Sequence, residues 1–314
     1  MTTAALTDRE AIGEAPNPIG MAGIEYIEYT TAQPQALGQA LEQLGFQPVA
    51  RHRSREVLLY RQGEMNIVVN THAGVVMGRS ATEATAGTAT AGVTAARSDE
   101  GAPRLSAIAL RVRDARAAYD RALELGAWDV PNHAQVMELN IPGIHGPGGA
   151  HLYFVDRCED FSIFDVDFKP IPGVDTHPPA VAGLHFFGVV QYIGRDRTED
   201  WVDFYSRLMG FARLPEEQRF GILPKGTLLK SPCEGSARFF LQLIEPDPVT
   251  LTYDEQELFH RIGFGTRDVP AAVALLRKRG LGFVDGTGVQ VTERGAITRT
   301  VLRTVVFELV YDER

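Results

Sequence analysis

Cysteine is scarce in this sequence of 314 residues, which has only Cys158 and Cys233. They stand far apart and in no metal-type spacing. That argues against a disulfide framework and fits a reducing compartment. Long apolar runs are missing as well. No stretch approaches the roughly 18 apolar residues of a membrane-spanning helix. Met1 to Gly20 lacks the basic start and apolar run of a secretory signal and carries Asp8, Glu10 and Glu14 instead. Positive charge is in short supply too: 31 Lys and Arg face 40 Asp and Glu, for a formal net charge of −9. A nucleic-acid binder is expected to be basic, and a membrane-surface binder to carry a polybasic patch. These absences lead to the expectation of a soluble cytoplasmic protein with a flexible N-terminus over 1–20. Its partner is expected to be a small molecule, not nucleic acid or membrane.

What is present is a repeat. Leu105 to Gly126 reads LSAIALRVRDARAAYDRALELG, and Phe259 to Gly280 reads FHRIGFGTRDVPAAVALLRKRG. Shifted by 154 positions, Ile108 meets Ile262, Asp114 meets Asp268 and Gly126 meets Gly280. Each copy opens on a strand-like alternation, passes an Asp suited to cap a helix, and ends its helix on Gly. Gly23-Ile-Glu-Tyr-Ile27 likewise matches Gly183-Leu-His-Phe-Phe187, each followed by a helical pattern, Gln33–Leu44 and Thr198–Met209. Strands are expected at Val57–Arg61, Met65–Asn70 and Arg238–Ile244, with closing strands at His151–Val155 and Val305–Val310.

Four β-α-β-β-type modules therefore make up the chain, two per half. Pairing two modules removes costly sheet edges and leaves a central cavity. The fold class is α+β: a tandem repeat of β-α-β-β-β modules forming two open barrels. The N-terminal barrel is expected over 21–168, a Pro-rich linker over 169–180, and the C-terminal barrel over 181–314. Val76–Pro103, rich in Ala, Thr and Gly, is read as a mobile surface loop, because it has too little apolar surface to offset its ordering entropy.

The repeat serves as its own control, since a residue that serves only the fold should recur in both copies. Glu25 corresponds to His185, Ser106 to His260, and Tyr153 to Glu308. The second half alone thus carries two imidazoles and a carboxylate on three strands. A facial set of that composition suits Fe(II) and leaves open positions, while Mn or Co could substitute. Glu308 lies in the apolar run Val305-Val-Phe-Glu-Leu-Val310, where a lone buried carboxylate is expensive and a metal would supply the missing partner. His185, His260 and Glu308 are the expected ligands of one ion, and the first half is expected to hold none.

Several segments resemble the 4-hydroxyphenylpyruvate dioxygenase family of the vicinal oxygen chelate (glyoxalase-like) superfamily. They include Asn17-Pro-Ile-Gly20, Gly23-Ile-Glu-Tyr-Ile-Glu28, Leu44-Gly-Phe46, His52-Arg-Ser54 and Leu59-Tyr-Arg-Gln-Gly-Glu-Met-Asn66. Others are Ala122-Leu-Glu-Leu-Gly-Ala127, Glu138-Leu-Asn-Ile-Pro142 and Gly148-Gly-Ala150. The resemblance implies two open barrels with iron in the second, held by His185, His260 and Glu308. It implies a dioxygenase of tyrosine catabolism that takes O2 and an aromatic or 2-oxo acid substrate. A homo-oligomer is expected.

The second half departs from the family. Phe259 stands where Gln precedes the second metal His. Gln242-Leu-Ile-Glu245 puts Ile244 where Asn is expected, so Phe259, Ile244 and Gln242 are the candidate pocket residues. Thr300-Val-Leu-Arg303 has no clear match to the family's Gln-Ile-Phe strand, and the C-terminal helix that the family places after the Phe-Glu pair is not found before Arg314. These departures lead to the expectation that 4-hydroxyphenylpyruvate is turned over poorly, in a pocket open to water. Arg303 is a candidate counter-ion for an acidic substrate. A mandelate-forming relative is a related reading. An extradiol ring-cleaving dioxygenase is the first alternative; it needs a cavity base, for which Gln290 and Tyr192 are the weak candidates. A metal- or ligand-binding paralogue without turnover is the second.

Overall fold

The computed structural model describes residues 17–71, 101–131, 139–158, 161–215, 226–246, 257–286 and 290–314. The flexible stretch expected over 1–20 falls outside these residues up to position 16, and the expected loop Val76–Pro103 up to position 100.

The first half forms β1 (Gly23–Thr30), α1 (Pro34–Leu44), β2 (Gln47–His52), β3 (Val57–Gln62) and β4 (Met65–Asn70). It continues with β5 (Arg104–Arg111), α2 (Ala115–Glu124), β6 (Gly143–His145), β7 (His151–Val155), α3 (Ile163–Asp167) and β8 (Phe168–Pro170). The second half forms β9 (His185–Tyr192), α4 (Thr198–Met209), β10 (Ala212–Arg213), β11 (Thr227–Lys230) and β12 (Phe240–Ile244). It ends with β13 (Leu258–Thr266), α5 (Val269–Lys278), β14 (Gly295–Ile297) and β15 (Val306–Tyr311).

Two mixed sheets result, ordered β6-β7-β5-β1-β4-β3-β2-β8 and β10-β11-β12-β9-β13-β15-β14. In each, the first strands of the two modules lie antiparallel at the centre, β1 on β5 and β9 on β13. Each first strand also pairs in parallel with the last strand of its own module: β1 with β4, β5 with β7, β9 with β12, and β13 with β15. The described strands do not close either sheet. This is the open, α+β arrangement expected from the repeat, and it puts β13 and β15 side by side at the heart of the second sheet.

Local chemistry accounts for the helices. Asp114 accepts from the Ala117 amide and Asp268 from the Ala271 amide, so the capping position recurs in both copies. Gly45 and Gly210 end α1 and α4 with left-handed backbones, which glycine adopts without strain. Replacing either cap, Asp114→Ala or Asp268→Ala, is expected to cost about 1 kcal/mol. Urea titration of the two variants checks this, and a cost near zero at either site would show that the cap is decoration.

The apolar faces of α1, α2, α4 and α5 join one core with one face of both sheets. That core crosses between the halves: the Phe46 and Phe264 ring centroids are 6.0 Å apart. The other face of each sheet, called the inner face below, differs between the copies. In the first half it is filled by a second cluster that includes Tyr26, Val68, Tyr153, Phe164 and Phe168. In the second half the corresponding cluster among the described residues is only Phe187, Phe240 and Val310, with Leu214 packed against it. The first barrel is plugged by its own side chains, and the second retains space.

Candidate functional site

Strand alternation decides what faces that space. On β15, Phe307 and Leu309 enter the main core, so Glu308 points to the inner face. On β13, Ile262 and Phe264 enter the core, so Arg261 and Gly263 face inward. Glu308 is paired with Gly263 and Val306 with Arg261 in the parallel ladder. The Arg261 and Glu308 side chains therefore meet: Arg261 Nε donates to Glu308 Oε2 at 2.9 Å, with side-chain exposures of only 3% and 6%. Burial makes this arrangement consequential, because either charge alone would be severely desolvated. The Arg261 Nη2 atom is buried and has no hydrogen-bond partner among the described residues.

Beside the pair lies a partly open cavity lined by Phe187, Val190, Phe240, Gln242, Glu308 and Val310 among others. Gly188 and Gly263 form part of its floor. A Cβ on Gly188 would stand 2.5 Å from the Phe240 carbonyl oxygen, so this close strand approach requires glycine.

The residues expected as metal ligands occupy different places. His185 opens β9 and pairs with Gly265. Its ring lies over Gly265, where any Cβ would collide with it. Its Nε2 is 3.1 Å from Asp312 Oδ2 and its Nδ1 is 3.2 Å from the Gly183 carbonyl. Asp312 is held further by the Arg314 guanidinium. His185 and Arg314 pull its carboxyl below the usual carboxylate range, against the opposing effect of burial.

His260 is the extra residue of a bulge, because Phe259 pairs with Gln191 and Arg261 already pairs with Val190. Its ring sits 4.3 Å from the Tyr192 ring, centroid to centroid, and its Nδ1 is buried without a partner among the described residues. His185 and His260 thus lie five residue positions apart along β13, which at about 3.3 Å per residue is roughly 16 Å. Two imidazoles at metal-bond lengths of about 2.1 Å cannot share an ion across that span. Glu308 is at the centre of the inner face, but the structure does not bring the two histidines to it. Among the described residues no group of three His, Cys, Asp or Glu side chains is placed to hold a metal. The residues present therefore do not fit a three-ligand Fe(II) centre as arranged.

The burial of His260 yields a pH prediction. Burial, and then the Arg261 charge, pushes its imidazole down to about 4. The unfolded chain takes up the proton nearer the ordinary value of about 6.5, so below that pH the unfolded state binds more protons than the folded one. This group's contribution is fully present above pH 6.5 and is lost as pH falls toward 4. The loss is on the order of 2 kcal/mol once partial exposure is allowed for. Urea midpoints between pH 7 and 4.5 should therefore fall less steeply for His260→Gln than for the parent chain. Parallel slopes would mean that His260 titrates as it does when unfolded.

The remaining candidates separate clearly. Gln242 lines the cavity, and Ile244 lies half-buried at the end of the same strand. Phe259 is buried in the main core and does not face the cavity. Gln290 is exposed. Arg303 is exposed in a tight turn closed by the Val301–Val305 bridge, where Leu302 and Arg303 both have positive φ. Tyr192 is engaged with His260.

In the first half the residues matched to them in sequence are tied into structure, and the ladders correct one match: Gly23 pairs with Arg111 as His185 pairs with Gly265, so His185 is equivalent to Gly23 and Glu25 to Phe187. Glu25 is paired with Arg111, and burial still raises its carboxyl above the usual range. Thr30 donates to Ser106 Oγ, which donates in turn to the Glu28 carbonyl. Tyr153 packs in the inner cluster.

Sequence reasoning missed Arg261. The signal was available in the repeat: the shift of 154 positions sets Arg261 against Ala107, just as the closing strands set Glu308 against Tyr153. Ala107 and Tyr153 are both inner-cluster residues. A buried ion pair in the second half therefore replaces an apolar pair in the first.

Comparison with known proteins agrees with this architecture. Residues 15–169 match the model of the hydroxyphenylpyruvate dioxygenase N-terminal family. The chain is 38% identical over 200 residues to a 4-hydroxyphenylpyruvate dioxygenase of Pseudomonas sp. (strain P.J. 874), covering 63% of this chain and 51% of that one. It is 31% identical over 283 residues to the 4-hydroxyphenylpyruvate dioxygenase of Pseudomonas aeruginosa, covering 86% of this chain and 73% of that one. The chain thus spans about half the length of the first relative. Among solved structures, a 4-hydroxymandelate synthase variant from Streptomyces coelicolor superposes with a TM-score of 0.68 over 94% of each chain at 16% identity, a likeness of fold. No helix among the described residues is long and apolar enough to cross a membrane.

Proposed function

The chain belongs to the 4-hydroxyphenylpyruvate dioxygenase family, and from that premise we propose that the inner face of its second sheet takes a small aromatic acid. The relatives make a dioxygenase-type enzyme the class to which this site is referred. The observation that carries the reading is the contrast between the halves: one inner face is filled, and the other keeps a cavity beside a buried ion pair.

The chemistry of the lining suits such a molecule. Phe187, Phe240, Val190 and Val310 offer apolar walls to a ring, and Gln242 and Glu308 add polar groups that can orient it. The Arg261 guanidinium is ion-paired with Glu308, and it matches a carboxylate in charge and in planar geometry. When bound, Fe(II) supplies the family's oxygen activation. Of the expected ligands only Glu308 stands at this centre.

We further propose that 4-hydroxyphenylpyruvate is a poor substrate. Glu308 is engaged with Arg261, and both histidines are turned to other partners. Positioning of reactants is worth several kcal/mol of barrier, and among the described residues the donors that would provide it are not gathered. The same observation favours the second reading, a family member that binds its ligand without turnover.

Oxygen uptake and homogentisate formation from 4-hydroxyphenylpyruvate with Fe(II) and ascorbate separate these possibilities. The expected rate is well below about 1 s⁻¹, the low end of ordinary turnover. A rate at or above that level would show that the donors gather in solution and that the family's reaction is intact. Saturable binding without turnover is the outcome that supports the second reading.

A further inference from the structure

We propose that Arg261 is the carboxylate-recognition residue of this cavity and that Glu308 holds it there, so that the site binds its ligand without a metal. This rests on the reading of the second inner face as a small-molecule site. It goes further by naming the recognition group and dispensing with the ion.

Three independent observations converge. The first is the unmet valence of the guanidinium. Arg261 is almost fully buried, its Nε is committed to Glu308, and its Nη2 has no partner among the described residues. Leaving a buried donor unsatisfied costs about 1–3 kcal/mol, and more when it is charged. A carboxylate ligand would complete the fork of a guanidinium already oriented by Glu308. The second is the repeat. At the equivalent positions the first half has Ala107 and Tyr153, which pack into a filled inner cluster. The fold is therefore compatible with apolar residues here, and the ion pair occurs only in the copy that keeps a cavity. The third is the disposition of the histidines. His185 is bound to Asp312 and Gly183, and His260 lies in a bulge against Tyr192, at opposite ends of the β9–β13 ladder. Glu308 has a cationic side chain beside it where the expected ligand set would require an imidazole.

Glu308 has two effects. It neutralises Arg261, which makes the buried guanidinium tolerable in the empty state. It also limits how much negative charge the site accepts, so a monocarboxylate should bind better than a dicarboxylate of similar size. An arginine presents a planar donor pair that lysine cannot reproduce.

The test is calorimetric titration of the full chain with phenylpyruvate and with 4-hydroxyphenylacetate, after metal analysis of the protein, with and without EDTA. Binding is expected to change less than twofold on chelation. Arg261→Gln should weaken it tenfold or more, and Arg261→Lys should not restore it. If Arg261→Gln unfolds because Glu308 loses the Arg261 ion pair, the double variant Arg261→Gln/Glu308→Gln removes both charges and carries the same expectation. Loss of binding on chelation, with one metal ion per chain beforehand, would overturn the metal-free assignment and leave the small-molecule site standing. Unchanged affinity in the folded Arg261 variants would overturn the role of Arg261. Failure of every aromatic acid to bind, with Fe(II) added or removed, would overturn both this inference and the site itself.

Discussion

Glu308→Ala should destabilise the protein by about 3–5 kcal/mol, because it leaves Arg261 charged and buried with its strongest acceptor gone. The pair sits on the central strands of the second sheet, with side-chain exposures of 3% and 6%, so water cannot readily take over the lost hydrogen bond. Arg261→Met should cost less than the mirror change. Methionine fills much of the same volume and leaves no buried guanidinium behind. The double change Arg261→Met/Glu308→Leu should recover most of the loss, since a buried ion pair replaced by apolar groups of similar size is often close to neutral. The first-half pair provides the comparison. Arg111 is 26% exposed beside Glu25, so Glu25→Ala there should cost only about 1 kcal/mol. Urea unfolding of the four variants at pH 7 tests the series. A Glu308→Ala cost below about 1 kcal/mol would show that Arg261 swings out to water, and the recognition role argued for it would lose its footing.

Much of the fold was legible because it is written twice. The Asp114 and Asp268 caps, the glycine helix ends and the alternating strands recur at a constant shift, and the structure places them as equivalent elements on central antiparallel strands. Glu308 could be picked out for a related reason: it is a carboxylate in an apolar strand, and such a residue must have a partner. The identity of that partner was not legible. Matching Gly23 with Gly183 sets His185 against Glu25, whereas the ladders make it equivalent to Gly23, and the bulge at His260, which recurs at Ser106, leaves no strong sequence signature. That bulge takes His260 out of line, and the register of β9 on β13 carries His185 to the far end of the ladder. Arg261 was passed over because arginine is not a metal ligand, although its counterpart Ala107 marked it as different between the copies. The family resemblance located the architecture and the inner face, while the charge pairing on that face came from geometry alone.

Phe264→Ala should cost about 3–5 kcal/mol, and the loss should be felt in both halves of the chain. Phe264 is fully buried, and its ring lies 5.8 Å from Phe307, 5.9 Å from Phe186 and 6.0 Å from Phe46. The first two neighbours belong to its own sheet, whereas Phe46 follows α1 in the first half, so one ring binds the two copies of the repeat into a single core. Truncation removes its buried area and opens a cavity walled by strands that are hydrogen-bonded on both sides and cannot collapse into it. Phe46→Ala should cost a similar amount, and the double variant should cost less than the two singles together by more than about 0.5 kcal/mol, because the second truncation removes a contact already lost. The two tryptophans allow the coupling to be read directly. Trp201 is buried in α4 of the second half and Trp128 is exposed in the first, so in a Trp128→Phe background fluorescence follows the second half while far-ultraviolet circular dichroism follows both. The two transitions should coincide in Phe264→Ala as they do in the parent, which is the behaviour of one cooperative unit. A fluorescence transition that moves to lower urea while the dichroism splits in two would mean that the halves are separate folding units and that the Phe46–Phe264 contact is incidental.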